Sequence, residues 1–242
     1  MDNIDTKKYK NYIHFTGCGG LYPYYLGIAS VIQEHFVVDD KTLISSSSAG
    51  CISSSLLICN KNINNYFYNE IKDFINDLKA NPSWRIFNIN NIARNNLNNF
   101  FNKTENKNLY KEYNKKGIIF INEINRLKLK NIGISNWDNN DDVINCMMAS
   151  CYIPFYGPLD RITEFYKGKR CIDGNNYCDK NVNYLKNKLP TFIIDTRWRD
   201  INYNWYYFWG DFEWAEKLFN WGKDDAYEHI NEISNILKFK KK

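Results

Sequence analysis

The spacing of apolar residues near the start of the chain predicts strands that alternate with helices. Tyr12–Phe15 is a short apolar run that ends in a glycine-rich loop, and Tyr24–Phe36 after it has helical spacing. Thr42–Ser45 is predicted as a second strand, and Cys51–Cys59, rich in small and apolar residues, as a second helix. A strand, a sharp turn and a helix therefore occur twice in succession.

The same alternation continues further along the chain. The pattern predicts, in chain order, a helix at Asn62–Leu78, strands at Gly117–Ile121 and Leu127–Ile134, a helix at Asp141–Cys151, and a strand at Thr191–Asp195. Asn140 or Asp141 is the expected N-cap of the helix that starts there. Strands that alternate with helices are typical of an α/β fold whose mostly parallel sheet is covered on both faces.

The C-terminal segment is rich in aromatic residues, which are dense between Trp205 and Trp221. Ala226–Phe239 has helical spacing and ends among lysines; its predicted apolar stripe consists of Tyr227, Ile230, Ile233, Ile236 and Leu237. Such a stripe either packs on its own domain or lies at a lipid surface, where tryptophan, tyrosine and lysine are favoured. We interpret residues 1–195 as one domain and residues 196–242 as an extension packed on it.

Composition narrows the possible classes of protein. The chain has 242 residues, of which 44% are hydrophobic, and this is enough to bury one sizeable core. The net charge is only +5, and no long basic run precedes the C-terminus, which argues against a dedicated nucleic-acid binder. Asparagine is enriched between Asn60 and Asn145. We interpret that enrichment as polar residues on solvent-facing sides of helices, without a function of its own.

The cysteines and the termini bear on where the protein works. Seven cysteines without a Cys-x-x-Cys pair are typical of reduced thiols in a cytosol, and the three histidines are too far apart in sequence to suggest a zinc site. The polar start of the chain lacks the apolar stretch of a signal peptide, and no segment has about 18 uninterrupted apolar residues. We therefore expect a cytoplasmic protein.

Ser46–Gly50 lies where a predicted strand becomes a helix, which is the position of a nucleophile elbow. In such an elbow the serine projects from a strained turn, and small neighbours let the strand and the helix approach each other. Ser46, Ala49 and Gly50 are all small. A serine-rich N-cap or loop gives the same pattern, so the segment alone leaves both readings open.

The loop Gly17–Gly20 carries small residues at the end of the first strand and next to a helix N-terminus. Backbone N–H groups gather there with partial positive charge and can stabilise an oxyanion. A phosphate-binding loop is the alternative. The spacing, however, lacks the third glycine of the dinucleotide fingerprint and the Gly-Lys-Ser/Thr of a P-loop.

The sequence favours none of its three histidines as the base for a serine nucleophile. Only His229 comes late enough in the chain for an ordinary hydrolase triad, and it lies within a charged helical face; His14 and His35 precede the serine. A carboxylate that acts directly on the serine needs no histidine. Asp173 follows a predicted strand, where Asp-Gly is also a common turn.

Several motifs together resemble the patatin-like phospholipase family, closest to the branch that contains the animal triglyceride lipase and adiponutrin. In the family's order, the motifs are Phe15–Phe36 (FTGCGGLYPYYLGIASVIQEHF), Ser46–Gly50, Ser150–Pro154 (SCYIP) with Phe155–Gly157, and Ile172–Gly174 after Tyr166–Gly168. The likeness runs from about Tyr12 to Asp195, most of the chain.

The resemblance implies a three-layer α/β/α sandwich and a lipid acyl hydrolase with a Ser-Asp dyad. It assigns Ser48 as the nucleophile, Asp173 as the acid of the dyad, and Gly17, Cys18 and Gly19 as the oxyanion loop. No metal or cofactor is implied. The expected partner is a lipid substrate, a phospholipid or an acylglycerol, met at the surface of a membrane or lipid droplet.

Three positions depart from the family's pattern. Tyr22 stands where the glycine loop usually has another glycine; a tyrosine there can crowd the loop, although Gly20 offers compensating freedom. Ser46 replaces the first glycine of the elbow, and Asn175 follows Asp-Gly where glycine or alanine is usual. These departures are compatible with a second hypothesis, a non-catalytic protein that binds lipids or partners. Acyl transfer to an acceptor lipid is a third, because it would use the same residues.

Overall fold

The computed structural model describes residues 4–80, 85–103, 108–126, 128–154, 162–175, 178–202 and 211–241, with the side chains of residues 85–88 left aside. The helices and strands are β1 (Asn11–Phe15), α1 (Tyr22–His35), β2 (Thr42–Ser47), α2 (Gly50–Ile58), α3 (Ile63–Tyr66), a π-helical turn (Phe67–Ile71), α4 (Lys72–Ala80), α5 (Arg85–Phe101), α6 (Leu109–Lys116), β3 (Gly117–Asn125), β4 (Lys128–Ile134), α7 (Asn140–Ser150), β5 (Glu164–Tyr166), β6 (Lys169–Ile172), α8 (Asp179–Lys186), β7 (Thr191–Ile194), α9 (Phe212–Glu228) and α10 (Ile230–Ile236).

The described strands form one seven-stranded sheet in the order β5-β6-β3-β2-β1-β7, with β4 also paired to β3. β1 pairs in parallel with β2 and β7, and β2 pairs in parallel with β3. β4 and β6 run antiparallel to β3, and β5 runs antiparallel to β6. The centre of the sheet is therefore parallel, as predicted, and the antiparallel strands gather on one side of it.

Alternate residues of the central strands enter two different hydrophobic clusters. Ile13 and Ile119 point to the larger cluster, which includes α1, α2, α7 and α9. Tyr12 and Ile118 point to the smaller cluster, which includes Leu185 of α8. The sheet thus lies between two helical layers, and the predicted three-layer α/β/α sandwich is confirmed.

The start of α7 differs from the prediction. The N-cap of α7 is Asn139, whose side-chain oxygen accepts a 2.9 Å hydrogen bond from the N–H of Asp142, so the predicted caps Asn140 and Asp141 are wrong. Asn139 has an extended backbone, as a capping residue requires, whereas the next residue is already helical. The predicted strand at Leu127–Ile134 is β4, and Leu127 itself lies outside the described residues.

The prediction of a single C-terminal helix over Ala226–Phe239 is wrong. α9 ends at Glu228, the chain turns at His229, and the separate short helix α10 follows. Phe239 is extended, and its ring stacks on that of Phe36 with 4.6 Å between centroids. A straight helix would rise about 1.5 Å per residue away from α1, so the break lets the tail return to it.

The apolar stripe predicted for this region faces the protein. Ile233 and Leu237 are buried, and Ile230 and Ile236 pack against the larger cluster, while Tyr227 is 47% exposed. The stripe therefore serves as core packing. None of the described helices combines the length and apolar character that crossing a bilayer requires.

α9 lies along α1 and shares its core. The hydroxyl of Tyr24 donates a 2.6 Å hydrogen bond to Asp225, and the ring of Phe219 stacks on Phe67 with 4.1 Å between centroids. Trp205–Trp209, the densest part of the aromatic segment, lie outside the described residues. The division of the chain after residue 195 stays a prediction.

Candidate active site

Ser48 lies at the sharp turn between β2 and α2. Its φ is +51°, a left-handed conformation that residues with side chains rarely adopt outside strained turns. Two residues later, a Cβ on Gly50 would come within 2.4 Å of the carbonyl oxygen of Thr16, so only glycine allows this close approach. The strand, turn and helix have the geometry of a nucleophile elbow, and Ser48 lines a cavity.

The sheet brings Asp173 to this turn. β2 ends with Ser47 opposite Phe120 of β3, and β6 ends with Ile172 opposite Asn122, two residues further along. Because β4 occupies the other edge of β3 there, β2 and β6 share one edge and run towards each other. The residues that directly follow the two strands therefore meet.

Ser48 and Asp173 are joined by a short hydrogen bond. The Ser48 hydroxyl donates to Asp173 Oδ2 at 2.5 Å, and the N–H of Asn175 donates to Asp173 Oδ1 at 2.8 Å. Burial raises the pKa of Asp173 to about 6, against the opposing effect of these two hydrogen bonds. At neutral pH the carboxylate is ionised and in position to accept the serine proton.

Ser150 connects the elbow to the turn that carries Asp173, residues Asp173–Asn175, which is called the acid turn below. Its hydroxyl donates to the carbonyl oxygen of Phe120 at 2.6 Å and accepts from the N–H of Ser48 at 2.8 Å. Its carbonyl oxygen accepts from the N–H of Gly174 at 2.9 Å. A Cβ on Gly174 would lie 1.8 Å from the carbonyl oxygen of Phe120, so the acid turn fits against β3 only with glycine.

A series of hydrogen-bonded asparagine side chains supports the acid turn. Asn122 Nδ2 donates to the carbonyl oxygen of Asp173 at 2.6 Å, and Asn131 Nδ2 donates to Asn122 Oδ1 at 2.9 Å. Asn181 Nδ2 in turn donates to Asn131 Oδ1 at 2.7 Å. Asn122 is fully buried, so the interpretation of the asparagines as solvent-facing is wrong at this position.

Replacement of Asn122 by alanine is expected to destabilise the fold. It would leave the buried carbonyl oxygen of Asp173 without this donor, which typically costs about 1–3 kcal/mol of unfolding free energy. Asn125→Ala on the same strand is the control, because Asn125 is exposed. Urea unfolding of both variants measures the difference; an equal free energy of unfolding for both would contradict the role of these hydrogen-bonded asparagines.

The glycine loop follows β1 and lines the same cavity as Ser48. Gly19 has a φ of +51°, and Gly19–Leu21 forms a 3-10 turn that leads into α1. The N–H of Gly17 donates to Asn175 Oδ1 at 2.7 Å, whereas the described residues provide no hydrogen-bond acceptor for the N–H groups of Cys18 and Gly19. Those two groups are therefore the available donors of the predicted oxyanion loop.

Beside the dyad lies a largely apolar cavity of about 540 Å³. Its far wall consists of residues from the helical segment between α2 and α6: Tyr66, Ile71, Phe74, Ile89, Asn90, Ala93, Asn96 and Leu97. The segment predicted as one helix at Asn62–Leu78 is α3, the π-helical turn and part of α4, and together with α5 it forms this wall. The volume is within the usual range for small-molecule sites.

Tyr22 is part of the lining of this cavity. It is the first residue of α1, its side chain is buried, and its ring meets that of Phe74 edge to face with 6.1 Å between centroids. The ring therefore packs within the cavity wall formed with Phe74.

The three histidines make their contacts away from Ser48. His14 Nδ1 hydrogen bonds with Ser45 Oγ at 2.7 Å, and burial lowers its pKa to about 4; His35 contacts Tyr227, and His229 contacts Glu232. Burial also raises the pKa of the Cys18 thiol beside the site, so that thiol stays protonated and is a poor nucleophile. The structure thus pairs Ser48 with a carboxylate.

Comparison with known proteins finds a matching family model and several similar proteins. Residues 13–179 match the family model described as "Patatin-like phospholipase". The chain is 28% identical over 182 residues to "Patatin-like phospholipase domain-containing protein 2" of Homo sapiens, covering 73% of this chain and 34% of that protein. It is 24% identical over 172 residues to "1-acylglycerol-3-phosphate O-acyltransferase Pnpla3" of Mus musculus, covering 67% and 38%. The chain spans about a third of the length of these curated relatives.

Proposed function

Since the chain belongs to the patatin-like phospholipase family, we propose that it is a lipid acyl hydrolase that cleaves carboxylic esters through Ser48 and Asp173. The observation that carries this proposal is the 2.5 Å hydrogen bond between Ser48 Oγ and Asp173 at the edge of an apolar cavity. Nucleophile, base and oxyanion donors are the minimum set for acyl transfer through a serine.

The mechanism follows from this arrangement. Asp173 accepts the hydroxyl proton while Ser48 Oγ attacks the ester carbonyl, and the N–H groups of Cys18 and Gly19 stabilise the oxyanion. The C–O bond to the alcohol then breaks, and Asp173 returns the proton to the leaving oxygen. Water, deprotonated in turn by Asp173, attacks the acyl carbonyl. The bond to Ser48 Oγ then breaks, Asp173 returns the proton to that oxygen, and the acid leaves.

The cavity favours an ester with a fatty acyl chain. Ile71, Phe74 and Leu97 present apolar side chains to it, so a chain bound there is removed from water, at about 0.8 kcal/mol per buried CH₂. Phospholipids and acylglycerols both supply such esters. Work at the surface of a membrane or lipid droplet stays a prediction.

An active-serine fluorophosphonate probe tests the proposal directly. The phosphonate should label Ser48, and peptide mapping should place it there, while hydrolysis of p-nitrophenyl esters is lost in proportion to labelling. A purified, folded protein that neither hydrolyses these esters nor reacts with the probe would favour the non-catalytic hypothesis.

The length of the bound chain should depend on Ala93 in α5. Ala93→Phe places a ring in the cavity and is expected to lower activity on palmitoyl relative to butyryl esters by tenfold or more, since lost contact with even one methylene costs about 10–200-fold. The ratio of kcat/KM for the two esters measures the effect. Asn91→Phe, at an exposed position of the same helix, is the control; an unchanged ratio for Ala93→Phe would place the acyl chain elsewhere.

The name of the mouse relative favours acyl transfer as a second candidate function. The same acyl-enzyme would then react with a lipid hydroxyl instead of water. Incubation with a labelled ester and a lysophospholipid acceptor, followed by product separation, distinguishes the two activities by the acceptor that gains the acyl group.

A further inference from the structure

Asn175 connects three segments of the site through hydrogen bonds. Its side-chain oxygen accepts from the N–H of Gly17 at 2.7 Å and from the hydroxyl of Ser47 at 3.2 Å. Its own N–H donates to Asp173 Oδ1 at 2.8 Å. The glycine loop, the elbow and the acid turn are thus joined at one residue.

The side chain of Asn175 lies directly on the glycine loop. A Cβ on Gly17 would come within 2.5 Å of its Cγ, so the two residues are in contact as well as hydrogen bonded. The bond uses the N–H of Gly17 and fixes the loop where it leaves β1. Cys18 and Gly19, the next two residues, carry the available donors.

We propose that Asn175 is a positioning residue that holds the glycine loop against the acid turn, so that the N–H groups of Cys18 and Gly19 face the oxyanion. This inference rests on the proposed function. Glycine or alanine at this position would keep the backbone N–H to Asp173 but lose both side-chain hydrogen bonds. Oxyanion donors act through fixed orientation, and a displacement of about 1 Å can cost 100-fold in rate.

A competing interpretation predicts the opposite change in kcat when the Asn175 side chain is removed. If the oxyanion required the N–H of Gly17, the amide oxygen of Asn175 would compete with the substrate for that donor. Removal of the side chain would then raise kcat, whereas the positioning role predicts a decrease.

The test compares Asn175→Ala, Asn175→Asp and the control Asn183→Ala, whose side chain is exposed on α8. For Asn175→Ala we expect a kcat on a p-nitrophenyl ester about 10- to 100-fold lower with KM nearly unchanged. The pH midpoint should stay in place, because the backbone donor to Asp173 remains. Asn183→Ala should match the wild type.

Asn175→Asp tests whether an acceptor oxygen at this position restores the activity that Asn175→Ala loses. It keeps an acceptor oxygen for Gly17 and Ser47 but adds a negative charge beside Asp173, which raises the pKa of Asp173. Its activity should therefore exceed that of Asn175→Ala at alkaline pH, with a midpoint shifted upward. A merely structural contact would produce neither feature.

A separate readout tests the loop contact independently of activity. Hydrogen exchange of the Gly17 amide should be slow in the wild type and faster in Asn175→Ala. An unchanged or higher kcat for folded Asn175→Ala, or no rescue by Asn175→Asp, overturns the inference. Absence of hydrolysis by the wild type overturns the proposed function and with it the catalytic meaning of the contact, even if the exchange rates differ as expected.

Discussion

Ser48→Ala is expected to lower ester hydrolysis by about 10⁴-fold or more while the protein stays folded. The substitution removes the only atom that forms the acyl-enzyme, so that binding and oxyanion stabilisation alone remain. The lost hydroxyl fills little volume, and its hydrogen bond to the charged Asp173 carboxylate contributes about 1.5–3 kcal/mol to stability, less than the total stability of a typical domain. Initial rates on a p-nitrophenyl ester, together with a thermal melting curve, measure both effects.

Ser47→Ala is the matched control for Ser48→Ala. Ser47 is buried beside the nucleophile, but its hydroxyl donates at 3.2 Å to Asn175 and has no place in the proposed chemistry. We expect it to retain activity within about tenfold. If Ser47→Ala abolished turnover and Ser48→Ala did not, the elbow would have been assigned in the wrong register.

Local patterns indicate where the candidate segments of the site lie, but not their roles. The segment around Ser48 and the glycine loop each combine a strand end, small residues and a helix start, while the family resemblance is what assigns Ser48 as the nucleophile. The helix break at His229 is different. The tail beyond the break contacts Phe36, about 200 residues away in sequence, and helical spacing does not encode such a contact.

The pairing of Ser48 with Asp173 is implied by the family resemblance and not by the predicted sheet. Alternating strands and helices favour parallel pairs, yet β6 runs antiparallel to β3 and meets β2 end to end. Asn122 could have been suspected, since it shares the inward register of Ile118 and Phe120 and is polar. Asn175 stands out in the sequence only as a departure from the family's pattern; its contact with Gly17, 158 residues away, has no local signal.

Asp173→Asn is expected to lower kcat/KM by about 100- to 10,000-fold, the usual contribution of a general base. The amide is nearly the same size and can still accept the hydrogen bond from Asn175, but it cannot take the proton of Ser48. Asp225→Asn is the control. Asp225 is a buried carboxylate bound to Tyr24 and Arg199, so its loss should reduce stability and leave the activity of the folded fraction unchanged.

The pH dependence of kcat/KM for the wild type should report the ionisation of the same carboxylate, Asp173. Because burial raises the pKa of Asp173 to about 6, kcat/KM should increase tenfold per pH unit below this value and level off above it.

The free energy of unfolding should change in the opposite direction, because the folded state binds this proton more tightly than the unfolded chain. The contribution of Asp173 to stability is present at low pH and is lost as pH rises through about 6. Asp173→Asn should remove that contribution. A plateau of activity extending well below pH 6, near-normal turnover by Asp173→Asn, or inactivation by His229→Ala with an unaltered melting curve would each contradict a base made of Asp173 alone.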